Sequence, residues 1–95
     1  MSREESQEVR IKRLRMLARH RGMLEVALLL EPFLRPGELE AMSHEELTAF
    51  ERLLEIDDLD LWDMVTGRRP PAPEVDPELL ARLRRRLEEM RTRKG

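Results

Sequence analysis

The sequence contains no cysteine, which excludes a disulfide framework, a thiol nucleophile and a thiolate metal site. Aromatic residues number three, two Phe and one Trp, too few to lay out platforms on which nucleic-acid bases stack. The four glycines are scattered, so no glycine-rich loop is present to cradle phosphates. The longest apolar run, Val26 to Leu30, is five residues, against the roughly 18 that a membrane span needs. The opening "MSREESQEVR" has no apolar stretch of the kind that marks a secretory signal. These absences together favour a cytoplasmic protein that does not insert into membranes. β-Branched residues are sparse and no alternating run persists, so strands are not expected.

What is abundant is charge. Charged residues make up 40% of the chain, with a net charge of only −2, but the signs are segregated. Residues 1–23 carry seven Lys/Arg against three Asp/Glu, residues 24–66 two against twelve, and residues 67–95 nine against five. An acidic middle between basic ends points to an oriented protein partner or to pairing inside the fold. Twelve carboxylates in the middle would repel phosphate from much of the surface, which argues against nucleic acid as the partner.

Helix signals run the length of the 95 residues. A first helix is expected from about Glu4 to His20, with Ile11, Leu14, Leu17 and Ala18 as its apolar stripe. Gly22 falls where a left-handed residue would terminate it. "MLEVALLLEPFL" is apolar on nearly every side, as in a helix packed among others, and must kink or end at Pro32. Ser43 and Glu46 make a capping box, with Met42 placed to staple onto Leu47, and Leu47, Phe50, Leu53 and Leu54 form the buried face that follows. "DDLDLWDMVTG" gives a short acidic-ended helix with Leu61, Trp62 and Val65 inward and Gly67 as terminator. After the stiff linker "RRPPAPEV", Asp76 and Pro77 open a last helix with Leu79, Leu80, Leu83, Leu87 and Met90 on one stripe. The expectation is an all-α single domain spanning residues 1–95, a bundle of about five helices with residues 1–8 and 91–95 frayed.

Catalytic constellations are missing from this pattern. His20 and His44 are 24 positions apart with no ligand partner at helical spacing, and exposed helix-end histidines explain them as well as a metal does. Ser2, Ser6 and Ser43 have no triad context. The carboxylates Glu51, Glu55, Asp57, Asp58, Asp60 and Asp63 cluster, yet they lack the central glycine and alternating ligands of a calcium loop. A solvated acidic face or a docking patch fits them better. Arg84, Arg85 and Arg86 fan across about 200° of a helix instead of forming one stripe. No enzyme, metal site or bound cofactor is expected, and a small helical nucleic-acid-associated regulator is the alternative that the arginine-rich ends keep open.

One stretch, "HRGMLE" at residues 20–25, stands out. Gly22 can be a plain helix terminator with Arg21 and Glu25 as a surface pair. Alternatively, the glycine lets another backbone approach while Arg21 and Glu25 project from one corner, the first as a planar donor fork and the second as an acceptor.

In this stretch the chain resembles the SdhE/YgfY-type bacterial FAD assembly factors, relatives of the mitochondrial factor that promotes flavin attachment to succinate dehydrogenase. The hallmark is Arg-Gly-x-x-Glu after the first helix, matched by Arg21, Gly22 and Glu25. The ordered set continues with Pro32-Phe33, "FERLLEIDDLDLW" at residues 50–62, a glycine, and a proline-rich link to a last amphipathic helix. Two positions depart from the common pattern: Ala27 stands where many members have aspartate, and Met64 where many have tryptophan, with Trp62 close by to supply aromatic volume. The resemblance implies a five-helix bundle that binds the flavoprotein subunit of succinate dehydrogenase, and often that of fumarate reductase; the chain itself is expected to be a monomer. It further implies that the bundle promotes covalent attachment of FAD there, while the missing phosphate loop and the lack of a spare aromatic argue against its holding FAD itself. It places partner contacts at Arg21, Gly22 and Glu25, with His20, Asp57, Asp58 and Asp60 as secondary candidates.

Overall fold

Local caps set where each helix begins. In the computed structural model, which describes residues 6–92, the Ser6 hydroxyl accepts the Val9 amide at 3.1 Å and opens α1, Gln7–Arg19. Ser6 caps α1, and Gln7, Glu8, Arg91 and Thr92 are helical rather than frayed as expected; residues 1–5 and 93–95 lie outside the described part. Helix α2, Leu24–Leu30, runs into a 3₁₀ turn, Glu31–Leu34, where Pro32 removes the next helical donor. The Ser43–Glu46 capping box forms in both directions and opens α3, His44–Leu54. Asp57 caps α4, Asp58–Thr66, which ends at Gly67 with φ 84°. Asp76 accepts the Leu79 amide at 2.9 Å and opens α5, Pro77–Thr92. No strand occurs among the described residues. The five helices surround one apolar core, so the all-α bundle stands.

Helix α2 occupies the centre, packing on α1, α4 and α5, while α1 also packs on α3 and α4 on α5. Val26, Leu29 and Leu30 of α2 are buried with Leu14, Phe50, Leu53, Leu61 and Leu83. Leu39 and Val75 join this core from the connections, so the proline linker is packed down rather than a free spacer. Met64 is 1% exposed, and Trp62 only partly covered at the core margin instead of fully inward. Leu17 faces out, unlike Ile11, Leu14 and Ala18, because the seam of α1 is narrower than the stripe drawn from the sequence. No helix among the described residues is long and apolar enough to cross a membrane.

The charge segregation resolves in part into internal pairing. Arg10 and Arg13 of α1 both reach Glu51 of α3, at 3.1 and 2.8 Å, and Arg15 reaches Glu40. From the C-terminal basic segment, Arg69 pairs with Asp60 at 2.7 Å and Arg86 lies 3.7 Å from Glu31. Arg84 donates to the Met64 carbonyl and Arg86 to that of Leu28. The basic ends thus clamp the acidic middle, and part of each arginine run is consumed inside the fold.

Candidate functional site

The corner between α1 and α2 is built by one cation and one carboxylate that close the end of α3 and the start of α2. α1 stops at Arg19, and His20 caps it: its amide donates to the Met16 carbonyl at 3.1 Å, and its ring Nδ1 donates to the same oxygen at 2.8 Å. The chain then turns Arg21 inward, leaving 10% of its side chain exposed. Its Nη1 donates to the Leu54 carbonyl at 2.6 Å, its Nη2 to the Ile56 carbonyl at 2.5 Å, and its Nε to Asp58 Oδ1 at 2.5 Å. Leu54 is the last residue of α3, so a guanidinium sits on carbonyls that a helix end leaves unsatisfied, at the negative end of its dipole.

Asp58 completes the exchange. Its Oδ2 accepts the amides of Gly22 at 2.7 Å and Met23 at 3.0 Å. Met23 precedes α2 and has no side-chain cap of its own, so a carboxylate from the start of α4 anchors the entry to α2. Burial pushes the Asp58 carboxyl up, but the Met23 amide, the Arg21 guanidinium and the Gly22 amide together outweigh it and hold it below the ordinary carboxylate range. A carboxyl depressed in the folded state stabilises the fold above its unfolded value of about 4 and loses that contribution as pH falls through the lower folded value. The acid limb of a stability–pH curve should therefore steepen below about pH 4 and flatten in Asp58→Asn, as thermal unfolding across that range would show.

Gly22 is not the left-handed terminator expected of it. Positive φ occurs only at Gly37 and Gly67 among the described residues, and His20 already caps α1. A Cβ built on Gly22 would meet only Asp58 Oδ2, at 3.5 Å, an ordinary contact. Gly22→Ala should accordingly change stability by no more than about 0.5 kcal/mol, whereas Gly67→Ala, at a left-handed position, should cost about 1 kcal/mol. Chemical denaturation of the two variants checks the contrast.

The candidate residues thus separate. Arg21, Gly22 and Asp58 converge on one corner, and Arg21 does not project beside Glu25. Glu25 lies in the first turn of α2, exposed, with no hydrogen bond or ion pair among the described residues. His20 is exposed with its ring folded onto its own helix. Asp57 caps its own helix through the Leu59 amide at 3.2 Å, and Asp60 is held by Arg69. Sequence inspection missed Leu24, Leu28 and Leu59, which are 70%, 40% and 55% exposed around this corner.

A family model described as "Flavinator of succinate dehydrogenase", Sdh5, matches residues 12–87, from within α1 to near the end of α5. The chain belongs to the Sdh5 family. The whole corner, from His20 to Asp60, lies within the matched span. A curated Sdh5-type relative, the FAD assembly factor SdhE of Acetobacter pasteurianus, is 37% identical over 93 residues, covering 97% of this chain and 81% of its own. The mitochondrial succinate dehydrogenase assembly factor 2 of Mycosarcoma maydis is 41% identical over 66 residues, 70% of this chain but 27% of that longer protein. No solved structure matches the chain. The family resemblance expected from the sequence is thus membership of the Sdh5 family, a family of succinate dehydrogenase flavinylation factors.

Proposed function

We propose that this chain binds the flavoprotein subunit of succinate dehydrogenase through the corner at Gly22 and Glu25 and promotes covalent attachment of FAD to that subunit. The observation that carries this reading is an exposed glycine that nothing inside the chain requires. Its φ is not left-handed, a Cβ there would make only an ordinary contact, and it stands near a carboxylate with no partner among the described residues. A missing side chain at such a place serves close approach by another backbone.

The bond itself forms between a histidine of the flavoprotein and the flavin that the flavoprotein holds, so that chemistry belongs to the host and its cofactor. The factor contributes orientation, holding the host's segments so that the two reacting atoms meet. It acts in the cytoplasm as a monomer, without a catalytic residue or FAD of its own, and the flavoprotein of fumarate reductase is a second client. Arg21 enters through the loop it pins, while Glu25 and the bare backbone at Gly22 meet the host. Deleting the gene and following in-gel flavin fluorescence of the denatured flavoprotein subunit tests this directly: the covalent flavin signal should fall severely and return with the wild-type gene. An undiminished signal in the deletion strain removes the proposal.

A further inference from the structure

The corner has an apolar rim that the fold does not need. Helix α2 is central and buries Val26, Leu29 and Leu30, yet its Leu24 and Leu28, one turn apart on the same side, are exposed. Leu59 is exposed on the first turn of α4, directly after the carboxylate that accepts the Gly22 and Met23 amides. Leu24 and Leu28 therefore bracket Glu25 along α2, and Leu59 follows the aspartate that binds the Gly22 amide.

Several acids near this rim are engaged within the chain. Asp58 is bound by Arg21 and two amides, Asp57 by the Leu59 amide, Asp60 by Arg69, and Glu31 by Arg35. Glu25 has no hydrogen bond or ion pair among the described residues. A carboxylate without a partner among the described residues, set between exposed leucines on the acidic segment of the chain, is complementary to an apolar ridge that carries one cation. Buried apolar anchors with a single charge-assisted bond at their centre are the arrangement that concentrates binding energy in small interfaces.

We infer that Leu24, Leu28 and Leu59 form the apolar rim of the flavoprotein-binding surface, and that the flavoprotein presents an apolar ridge bearing one arginine or lysine that pairs with Glu25. This rests on the docking corner proposed above and extends it to the chemistry of the partner. Apolar anchoring is insensitive to salt, whereas a rim charge pair is screened by it, so the two contributions separate in one experiment.

The test is binding of purified flavoprotein subunit to the full chain at low and high salt. Leu24→Ser/Leu59→Ser should unfold at the wild-type temperature, since both side chains are exposed, yet bind about 30-fold more weakly at either salt. Glu25→Gln should lose about tenfold at low salt and approach wild type at high salt. Each single leucine variant serves where the pair disturbs folding. If the leucine variants bind as wild type while Gly22→Arg does not, the rim is overturned and the docking corner survives. If the wild-type chain does not bind the flavoprotein at all, the corner falls with it. A concentration-dependent dimer in light scattering that Leu24→Ser dissociates overturns the rim in favour of a second copy of this chain.

Discussion

Arg21→Ala is expected to lower the unfolding free energy by about 3 kcal/mol, equivalent to a Tm drop of about 15 °C in a domain of this size. The cause is what the variant leaves behind. The Leu54 and Ile56 carbonyls lose their donor at the end of α3, and Asp58, with 18% of its side chain exposed, keeps its negative charge without its cation. Truncating one member of a largely enclosed, hydrogen-bonded ion pair costs more than the pair's net worth for that reason. Lysine carries the charge on one point and cannot bridge two carbonyls and a carboxylate, so Arg21→Lys should recover about half of the loss. Asp58→Ala should be comparable, because α2 loses the anchor of its first amides. The double variant should cost less than the sum of the two single changes by at least about 1 kcal/mol. Denaturant titrations of the four proteins measure this cycle. An Arg21→Ala chain as stable as wild type would mean that the guanidinium serves the outside of the molecule instead of its interior.

Gly22→Arg should have the opposite profile, with binding lost and folding kept. The position is exposed, tolerates a Cβ, and demands no special φ. A long side chain there fills the space that a docking backbone would occupy, and a reduction in flavoprotein affinity of at least about 100-fold is expected, about 2.7 kcal/mol. A new guanidinium beside Asp58 could also draw that carboxylate from Arg21. Gly22→Gln, equally long and uncharged, separates the two effects: it should keep the wild-type Tm and still bind poorly in a pull-down or calorimetric titration.

Much of the fold was legible because its signals are local. Ser43 and Glu46, Asp76 and Pro77, and Gly67 each fix a helix end through bonds to residues within a few positions. The narrower α1 seam, the partial exposure of Trp62 and the packed linker are tertiary outcomes that periodicity cannot supply. The candidate corner shows the same division more sharply. Arg21, Gly22 and Glu25 could be picked out from one short motif, but the direction of Arg21 depends on carbonyls and a carboxylate more than thirty positions away. Asp58 looked like one of several surface acids, and only the folded chain distinguishes it from Asp57 and Asp60. Leu24 and Leu28 sat within a segment apolar on nearly all sides, where nothing in the sequence tells a buried leucine from an exposed one.

On the proposed function, the corner at Gly22 positions a flavoprotein for its own flavin attachment. The most direct measurement is the rate at which flavoprotein subunit lacking covalent flavin, mixed with FAD, gains covalent flavin in the presence of wild-type chain, Gly22→Gln chain or none. Acceleration by the wild type, and a rate with folded Gly22→Gln close to that without any chain, is the predicted result. Equal acceleration by the wild type and Gly22→Gln would contradict it.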